Sequence, residues 1–175
     1  MSRIDYDLFK IKGMAFDVDG VLSSSTCQVN LQGKPIRTGN VKDGYALQLA
    51  ATMGFHMIVI TGGDSIEIKN RMKLLGISDF RDNVADKLPE LKSWMDLHNL
   101  LPEEVLYMGD DIPDLPCLRH VGLPCSPFDA AWEVRQESVY ISQYTGGFGA
   151  VRDVVQQVLQ AHGLWRVSPS DDLTW

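Results

Sequence analysis

Residues 13–22 read GMAFDVDGVL, and this stretch decides the fold. Gly13 to Val18 is a short, nearly continuous apolar run that ends in acids, with Asp17 and Asp19 separated by one residue. An apolar run of this length is typical of a strand buried on both faces of a parallel sheet. In open parallel sheets, ligands bind at the carboxyl ends of the strands. The sequence therefore predicts a buried strand that places Asp17 and Asp19 at a ligand site.

Similar apolar runs recur along the chain and alternate with helical segments. This alternation predicts an α/β fold, in which a three-layer, Rossmann-like parallel sheet is covered by helices on both faces. The predicted strands are Gly13 to Val18, Met57 to Thr61, Arg81 to Val84, Val105 to Met108, Val121 to Pro124 and Val139 to Ile141. The predicted helices are Gly44 to Met53, Ser65 to Leu75, Leu88 to Leu97, Ile112 to Val121 and Ala150 to His162.

One segment interrupts this alternation directly after the first strand. Cys27 to Leu31 has β-forming residues, and the turn-forming sequence Gln32-Gly33-Lys34-Pro35 follows it. Together they predict a β-hairpin inserted at about residues 23–38. A chain of 175 residues fits a single domain. We expect that domain to span residues 1–165 and a polar C-terminal tail to span 166–175.

The composition excludes several classes of partner. The net charge is −7, so the phosphate backbone of a nucleic acid is not an expected partner. No stretch approaches the length of a membrane span, and the N-terminal residues contain no apolar leader segment. The three cysteines show no C-x-x-C spacing, which predicts inert thiols in a reducing compartment. We therefore expect a cytoplasmic protein that does not bind membranes or nucleic acids.

The predicted strand ends and one helix start bring together groups that suit phosphate ester chemistry. Thr61 ends the second strand, Asp110 and Asp111 follow the VLYM strand, and Lys87 precedes a helix. A carboxylate nucleophile can divide a slow displacement into two easier steps, and a second carboxylate can move the proton. Closely spaced carboxylates repel each other and a phosphate, so the site needs a hard divalent cation, and Mg²⁺ suits such oxygen ligands. Lysine and threonine can hold the phosphoryl oxygens.

Each of these signals has an ordinary structural explanation when it is taken alone. A single DxDG sequence is more often a turn stabilised by side-chain-to-backbone hydrogen bonds. A lone threonine at a strand end, or a lone lysine before a helix, is usually a surface or capping residue. The Gly109-Asp110-Asp111 sequence could be a helix N-cap. The combination of all of them at strand ends, in this order, favours a catalytic site.

The sequences AFDVDGV, VIT and GDD, together with Lys87, resemble the four motifs of haloacid dehalogenase-type phosphatases. The resemblance implies that Asp17 is the nucleophile and Asp19 the general acid and base, while Thr61 and Lys87 hold the phosphoryl group. It also implies a Mg²⁺ ion bound by Asp17, by the backbone carbonyl of Asp19 and by Asp110. Asp111 and Asp114 are further candidates to assist the metal.

The spacing of these motifs leaves no room for a cap domain. Asp17 and Thr61 are 44 residues apart, and Thr61 and Lys87 are 26 apart. The predicted hairpin, helices and strand already fill these intervals, whereas a separate domain needs about 50 residues or more. An open site of this kind is covered either by a macromolecular substrate or by neighbouring subunits. The inserted hairpin favours neighbouring subunits, because exposed strand edges pair with other chains.

Three further segments, NVKDGY at 40–45, GDDIPD at 109–114 and GGFGAVR at 146–152, resemble 3-deoxy-D-manno-octulosonate (KDO) 8-phosphate phosphatases. The resemblance implies a capless homotetramer with shared active sites that releases KDO for lipopolysaccharide synthesis. The residues that would then contact the sugar acid, besides Lys87 on the phosphate, are Asn40, Val41, Lys42, Asp43, Gly44 and Arg71. Arg71 suits this task because arginine pairs bidentately with carboxylates, although an exposed helix residue is the ordinary explanation for it.

Two positions depart from the family pattern. Gly63 follows Thr61-Gly62 where the family often has arginine, and Gln48 stands where a second arginine is common. These differences leave three hypotheses: a KDO 8-phosphate phosphatase, a phosphatase for a nine-carbon ulosonate phosphate or for small phosphates in general, and a non-catalytic partner of a sugar cytidylyltransferase. The intact set of catalytic residues argues against the third hypothesis.

Overall fold

The structure is a computed structural model that describes residues 3–64 and 66–165. The strands are β1 (Gly13–Phe16), β2 (Gln28–Val29), β3 (Pro35–Ile36), β4 (His56–Ile60), β5 (Asp79–Arg81), β6 (Val105–Met108), β7 (Leu123–Ser126) and β8 (Tyr140–Ile141). The α-helices are α1 (Val41–Thr52), α2 (Ile66–Leu74), α3 (Lys87–Leu97), α4 (Leu115–Leu118), α5 (Trp132–Glu137) and α6 (Ala150–Ala161). Short 3-10 helices span Leu8–Lys10, Pro102–Glu104 and Ile112–Asp114.

The main sheet has six parallel strands in the order β5-β4-β1-β6-β7-β8. Strand β1 lies near the middle, where Gly13 is in register with His56 of β4 and Val105 of β6. All four residues of β1 are buried. The predicted α/β class and parallel sheet are confirmed, and the carboxyl ends of β1, β4 and β6 lie side by side.

Helices cover both faces of the sheet and form two apolar layers. On one face, Met14 and Phe16 of β1 belong to a cluster with residues of α1, α2 and α6. On the other face, Ala15 belongs to a cluster with residues of α3, α4 and α5, including the fully buried Trp94. Successive strand residues point to opposite faces, so a continuous apolar run supplies both layers at once.

Strands β2 and β3 form a separate antiparallel hairpin, with Gln28 in register with Ile36. All four of their residues are exposed. The hairpin lies within the predicted insertion, although its strands are shorter than expected. No cap domain is present in residues 3–64 and 66–165, as the spacing of the motifs predicted.

Several predicted elements differ from the structure in detail, and among them β5 spans Asp79–Arg81 where a strand from Arg81 to Val84 was predicted. The helix predicted for Ile112 to Val121 is a 3-10 helix followed by the four-residue α4, because prolines at 113 and 116 allow only short turns. Helix α5 was not predicted, and its six residues are too short to show a helical period. Strand β7 begins two residues later than predicted, after Gly122. The predicted tail at 166–175 lies outside the described residues.

Two of the three free cysteines, Cys117 and Cys125, are buried, whereas Cys27 in the hairpin segment is exposed. Burial raises the pKa of the Cys117 thiol to about 12. The prediction of inert thiols therefore fits the two buried residues. No helix in the described part of the chain has both the length and the apolarity that a membrane crossing requires.

Candidate active site

A cleft of about 530 Å³ lies at the carboxyl edge of the parallel sheet. Asp17 directly follows β1, Thr61 directly follows β4, Asp110 comes shortly after β6, and Lys87 is the first residue of α3. The structure brings these residues together although they are far apart in the chain. The predicted site residues that line the cleft are Asp17, Asp19, Thr61, Lys87 and Asp110, accompanied by Asp111 and Asp114.

Lys87 is the centre of a buried network of charged groups. Its ammonium lies 3.0 Å from Asp17 Oδ1 and 2.7 Å from Asp114 Oδ1. The Tyr107 hydroxyl also donates to Asp114 Oδ1, at 2.7 Å. Lys87 is 5% exposed and Asp17 7% exposed, so water screens their attraction weakly. The ordinary explanation of Lys87 as a surface or capping residue is therefore wrong, and the cap of α3 is Asp86.

The pKa values of the carboxyl groups reflect this crowding. Burial, and next the Asp114 carboxylate, raise the pKa of Asp17 to about 7, against the attraction of Lys87. Burial, followed by the charges of Asp17 and Asp114, raises the pKa of Asp110 to about 8. Burial alone would lower the pKa of Lys87, but Asp17 and Asp114 outweigh it and raise that pKa. Lys87 thus stays cationic while the acids compete for a single positive charge.

These acids fit a divalent cation. One carboxylate oxygen from each of Asp17, Asp110 and Asp114 lies within 4.8 Å of the others. Oxygen-rich sites with excess negative charge suit hard cations such as Mg²⁺. Gly20 has a φ of +79° and lies so close to Asp110 that a Cβ would meet its carboxylate at 1.9 Å. Glycine at this position therefore lets the two loops approach closely enough to place Asp110 beside Asp17.

Asp114 already uses its oxygens within the protein. Oδ1 accepts from Lys87 and Tyr107, while Oδ2 accepts from the backbone N–H of Asp110 at 3.0 Å. This fully bonded carboxylate orients both Lys87 and the loop of Asp110. Asp111 has a different task, because its side chain caps the following 3-10 helix by accepting from Ile112 N–H at 2.8 Å. The capping explanation is therefore correct for Asp111 within this motif.

Thr61 is also buried, and its hydroxyl oxygen accepts from the backbone N–H of Gly63 at 3.3 Å. This bond holds the turn after β4 against the cleft. The role of Thr61 in holding a phosphoryl group stays a prediction, and so do the catalytic roles of Asp17, Asp19 and Lys87.

Sequence reasoning missed Arg37, which contacts Asp19 through both of its carboxylate oxygens. Nε lies 2.7 Å from Oδ1 and Nη2 lies 2.8 Å from Oδ2. Nη1 donates to the backbone carbonyl of Asp64 at 2.7 Å. Arg37 follows the hairpin strand β3, and no sequence motif marks it, so no local signal could have identified it.

The residues predicted to contact the sugar acid lie at the N-terminal end of α1, where Asn40 precedes the helix and residues 41–44 form its first turn. The helix thus starts three residues earlier than the predicted Gly44. Asn40 caps this helix, since its Oδ1 accepts from Lys42 N–H at 2.8 Å, and its Nδ2 donates to the Gly147 carbonyl. Asp43 is buried and accepts from Arg152 N–H at 2.7 Å. Asn40, Asp43, Gly44 and Arg71 line one small cavity, and Val41 and Lys42 are exposed next to it. Their contact with a substrate stays a prediction.

The glycine segment at 146–149 packs directly against the loop that follows β1. A Cβ on Gly146 would lie 1.7 Å from the Gly20 carbonyl oxygen. Gly147 has a φ of +74° and donates its N–H to the Val21 carbonyl at 2.8 Å. Helix α6 starts at Ala150, directly after this segment, as the sequence predicted.

The chain has clear relatives among known proteins. No protein-family model matches it. The 3-deoxy-D-manno-octulosonate 8-phosphate phosphatase KdsC of Escherichia coli K12 is 33% identical to it over 153 residues, which cover 87% of the chain and 81% of that protein. The chain belongs to this phosphatase family. The haloacid dehalogenase-type resemblance that the motifs suggested is therefore confirmed.

Solved structures of phosphatases in this family have the same architecture. The Moraxella catarrhalis 3-deoxy-D-manno-octulosonate 8-phosphate phosphatase, solved with magnesium, phosphate and KDO, is 35% identical with a TM-score of 0.84, covering 89% of each chain. A putative haloacid dehalogenase superfamily hydrolase from Legionella pneumophila is 32% identical with a TM-score of 0.85, covering 90% of this chain and 86% of its own. Both similarities support the α/β fold, and the second supports the superfamily assignment.

Within this family, the two departures noted in the sequence have different surroundings. Gln48 is buried in α1. Gly63 lies beside Arg37, and a Cβ on Gly63 would come within 2.5 Å of Arg37 Nη2. The space next to Gly63 is therefore filled by an arginine from a different segment of the chain.

Proposed function

We propose that this protein is a Mg²⁺-dependent phosphatase that hydrolyses KDO 8-phosphate to KDO and phosphate. One observation above all supports it: Asp17, at the end of the central strand, pairs with the buried Lys87 beside a group of metal-ligating acids. The relatives named for this reaction, one of them solved with magnesium, phosphate and KDO, support the substrate.

In the first step, a carboxylate oxygen of Asp17 attacks phosphorus and the bond from phosphorus to the sugar oxygen breaks. Asp19 gives its proton to that leaving oxygen, which departs as the sugar hydroxyl. Lys87 and Thr61 hold the phosphoryl oxygens while their charge redistributes. The product of this step is an aspartyl-phosphate on Asp17.

In the second step, water attacks the phosphorus of the aspartyl-phosphate. Asp19 takes the proton of that water, the bond from phosphorus to Asp17 breaks, and inorganic phosphate leaves. Both carboxyl groups return to their starting states. One acid and one nucleophile, two residues apart on the same loop, therefore complete the cycle.

Asp17, Asp110 and the backbone carbonyl of Asp19 would hold the Mg²⁺ ion, and Asp114 would orient them. When bound, the ion offsets the negative charge of the acids and of the phosphoryl oxygens. The raised pKa values of Asp17 and Asp110 support this assignment, since both acids lack sufficient positive charge in the protein alone.

For the sugar acid we propose contacts from residues 40–44, at the start of α1, and from Arg71. Gly44 lies next to the Arg71 guanidinium, with 3.1 Å between Nη2 and the position of a Cβ on Gly44. A larger residue at 44 would therefore crowd a cation suited to a carboxylate. A nine-carbon ulosonate phosphate is the second candidate substrate, favoured by Gly63 and Gln48 in place of the usual arginines.

We further propose that the protein is a cytoplasmic homotetramer in which neighbouring subunits cover each open site. The exposed hairpin strands β2 and β3 support pairing between chains, since unpaired edges attract other strands.

Phosphate release from a panel of sugar phosphates tests the proposal. We expect KDO 8-phosphate to be hydrolysed with the highest kcat/KM, and chelation of Mg²⁺ to abolish turnover. Asp17→Asn should lower kcat by at least about 10³-fold, because it removes the nucleophile. Equal turnover of KDO 8-phosphate and generic esters would contradict the substrate, and full activity of Asp17→Asn would contradict the mechanism.

A further inference from the structure

Arg37 and Asp19 form a pair whose two members differ sharply in exposure. The Arg37 side chain is 8% exposed, whereas the Asp19 side chain is 46% exposed. The guanidinium is thus a nearly buried anchor that presents the carboxylate to the cleft. Bidentate pairing of arginine with a carboxylate fixes the plane of the carboxylate as well as its distance.

Arg37 is itself held from a third side. Its Nη1 donates to the Asp64 carbonyl at 2.7 Å, on the turn that follows Thr61. All three guanidinium nitrogens therefore have an acceptor, two on Asp19 and one on this turn. Lys34 of the same hairpin contacts the same turn through Asp64 Oδ2 at 3.2 Å, but it does not contact Asp19.

Gly63 leaves room for the Arg37 guanidinium in this arrangement. A Cβ on Gly63 would meet Arg37 Nη2 at 2.5 Å and would lie 3.7 Å from Asp19 Oδ2. Gly63 does not have a positive φ, so its backbone accepts any side chain. The absence of a side chain here therefore serves the position of Arg37 and not the turn itself.

We propose that Arg37 is a positioning residue for the acid step, holding the Asp19 carboxyl in line with the leaving oxygen, and that Gly63 makes room for it. The inference rests on the proposed function, in which Asp19 donates its proton as the bond from phosphorus to the leaving oxygen breaks. One oxygen of Asp19 keeps its contact with Arg37 while the other holds the proton that is transferred. If the Asp19 carboxyl is misplaced, proton transfer to the leaving oxygen is slower, because the reacting groups are no longer aligned.

The leaving group distinguishes this role from a merely structural one. Esters of alcohols require a proton on the departing oxygen, whereas p-nitrophenolate leaves without one. The ratio kcat/KM reports the steps up to release of the leaving group, so it isolates the acid step from the later water attack. Glycerol 2-phosphate, phenyl phosphate and p-nitrophenyl phosphate lack a carboxylate, which removes any effect of sugar-acid recognition.

We expect Arg37→Gln to lower kcat/KM for glycerol 2-phosphate by roughly 10- to 100-fold and for p-nitrophenyl phosphate by less than about 3-fold, since acid catalysis contributes about 10²- to 10⁴-fold. Arg37→Lys should restore part of the loss, because it keeps the charge without the bidentate geometry. Gly63→Ala, which leaves Arg37 in the chain, should give the same dependence on the leaving group. Lys34→Gln is the matched control and should leave all three esters unchanged.

Equal losses for all three esters, or no loss for any, would overturn the inference. If Arg37→Gln fails to fold, Gly63→Ala decides the matter, because it displaces only the flexible end of Arg37. The proposed function fails separately, by full activity of Asp17→Asn, so the two results are distinguishable.

Discussion

Asp110 shows, at the scale of a single residue, how burial and neighbouring negative charges act on one acid of this cleft. Its carboxyl lies against Asp17 and Asp114, which share the one ammonium of Lys87. An ionised carboxylate in such surroundings is costly unless a further cation is present. The proposed Mg²⁺ site would therefore reduce the stability of the metal-free protein.

We therefore expect Asp110→Asn to stabilise the metal-free protein at high pH. The pKa of Asp110 is raised from 3.8 to about 8, so the folded state holds this proton more tightly than the unfolded chain. The resulting stabilisation is complete below about pH 4 and is lost as the pH rises through about 8. At pH 9 the variant should unfold about 3 °C above the wild type, which corresponds to roughly 1 kcal/mol for a partly solvated group.

Calorimetry from pH 5 to 9 in the presence of EDTA measures this difference. Asp96→Asn is the matched control, because Asp96 is exposed on α3 and does not line the cleft. Its melting temperature should follow the wild type at every pH. The interpretation would be wrong if Asp110→Asn melted with the wild type at pH 9, or if it retained Mg²⁺-dependent phosphatase activity.

At the scale of elements, hydrogen bonds link the N-terminal end of α1 to the N-terminal end of α6 and to the segment before it. Gly149 precedes α6 and has no side chain to cap it, so Asp43 of α1 supplies the acceptor for Arg152 N–H. Asn40 caps α1 and also holds the Gly147 carbonyl. These bonds hold residues 40–44 beside the glycine segment, so the start of α1 has a structural task apart from any contact with substrate.

Asp43→Ala should destabilise the protein by about 2 kcal/mol, because it removes the cap of α6 and leaves the partly buried Arg152 N–H without its acceptor. For a chain of this size, that corresponds to a decrease of roughly 4–8 °C in Tm. Asp43→Asn keeps an acceptor oxygen and should cost much less. Thermal unfolding at pH 7.5 measures both variants, and equal losses for the two would show that the charge of Asp43 matters and not its hydrogen bond.

At the scale of the whole molecule, the hairpin stands apart from the main sheet and exposes apolar side chains. Val29 is 66% exposed, Ile36 49%, and Leu31 in the turn is fully exposed. Exposed apolar strands are a liability in a monomer and a common means of association between chains. Arg37 directly follows β3 and contacts Asp19 at the cleft, so the hairpin lies near the cleft. Association of chains through the hairpin would therefore place a second chain close to the site.

Leu31→Glu should therefore dissociate the proposed tetramer. We expect light scattering to give a mass four times the 19.5 kDa of the chain for the wild type and a smaller assembly for the variant. Leu97→Glu is the control, since Leu97 is a similarly apolar exposed residue on α3. A monomeric wild type with full activity would contradict the idea of shared sites.

The sequence by itself determined the class of fold and the acids at the centre of the cleft. Apolar runs of strand length and the acids that end them are local patterns, and parallel strands must bring their carboxyl ends to one edge. Asp17, Thr61, Lys87 and Asp110 could accordingly be placed in one site before the structure was known.

Only the tertiary structure decided how those acids are held. Arg37 with Asp19, Lys87 with Asp114, and Arg152 with Asp43 join positions 18, 27 and 109 residues apart. Such contacts produce no periodic or local pattern in the sequence, because each depends on where two segments meet after the sheet has formed. Gly63 is the clearest case. In the sequence it is only a departure from the family pattern, whereas in the structure its missing side chain leaves the space that Arg37 occupies.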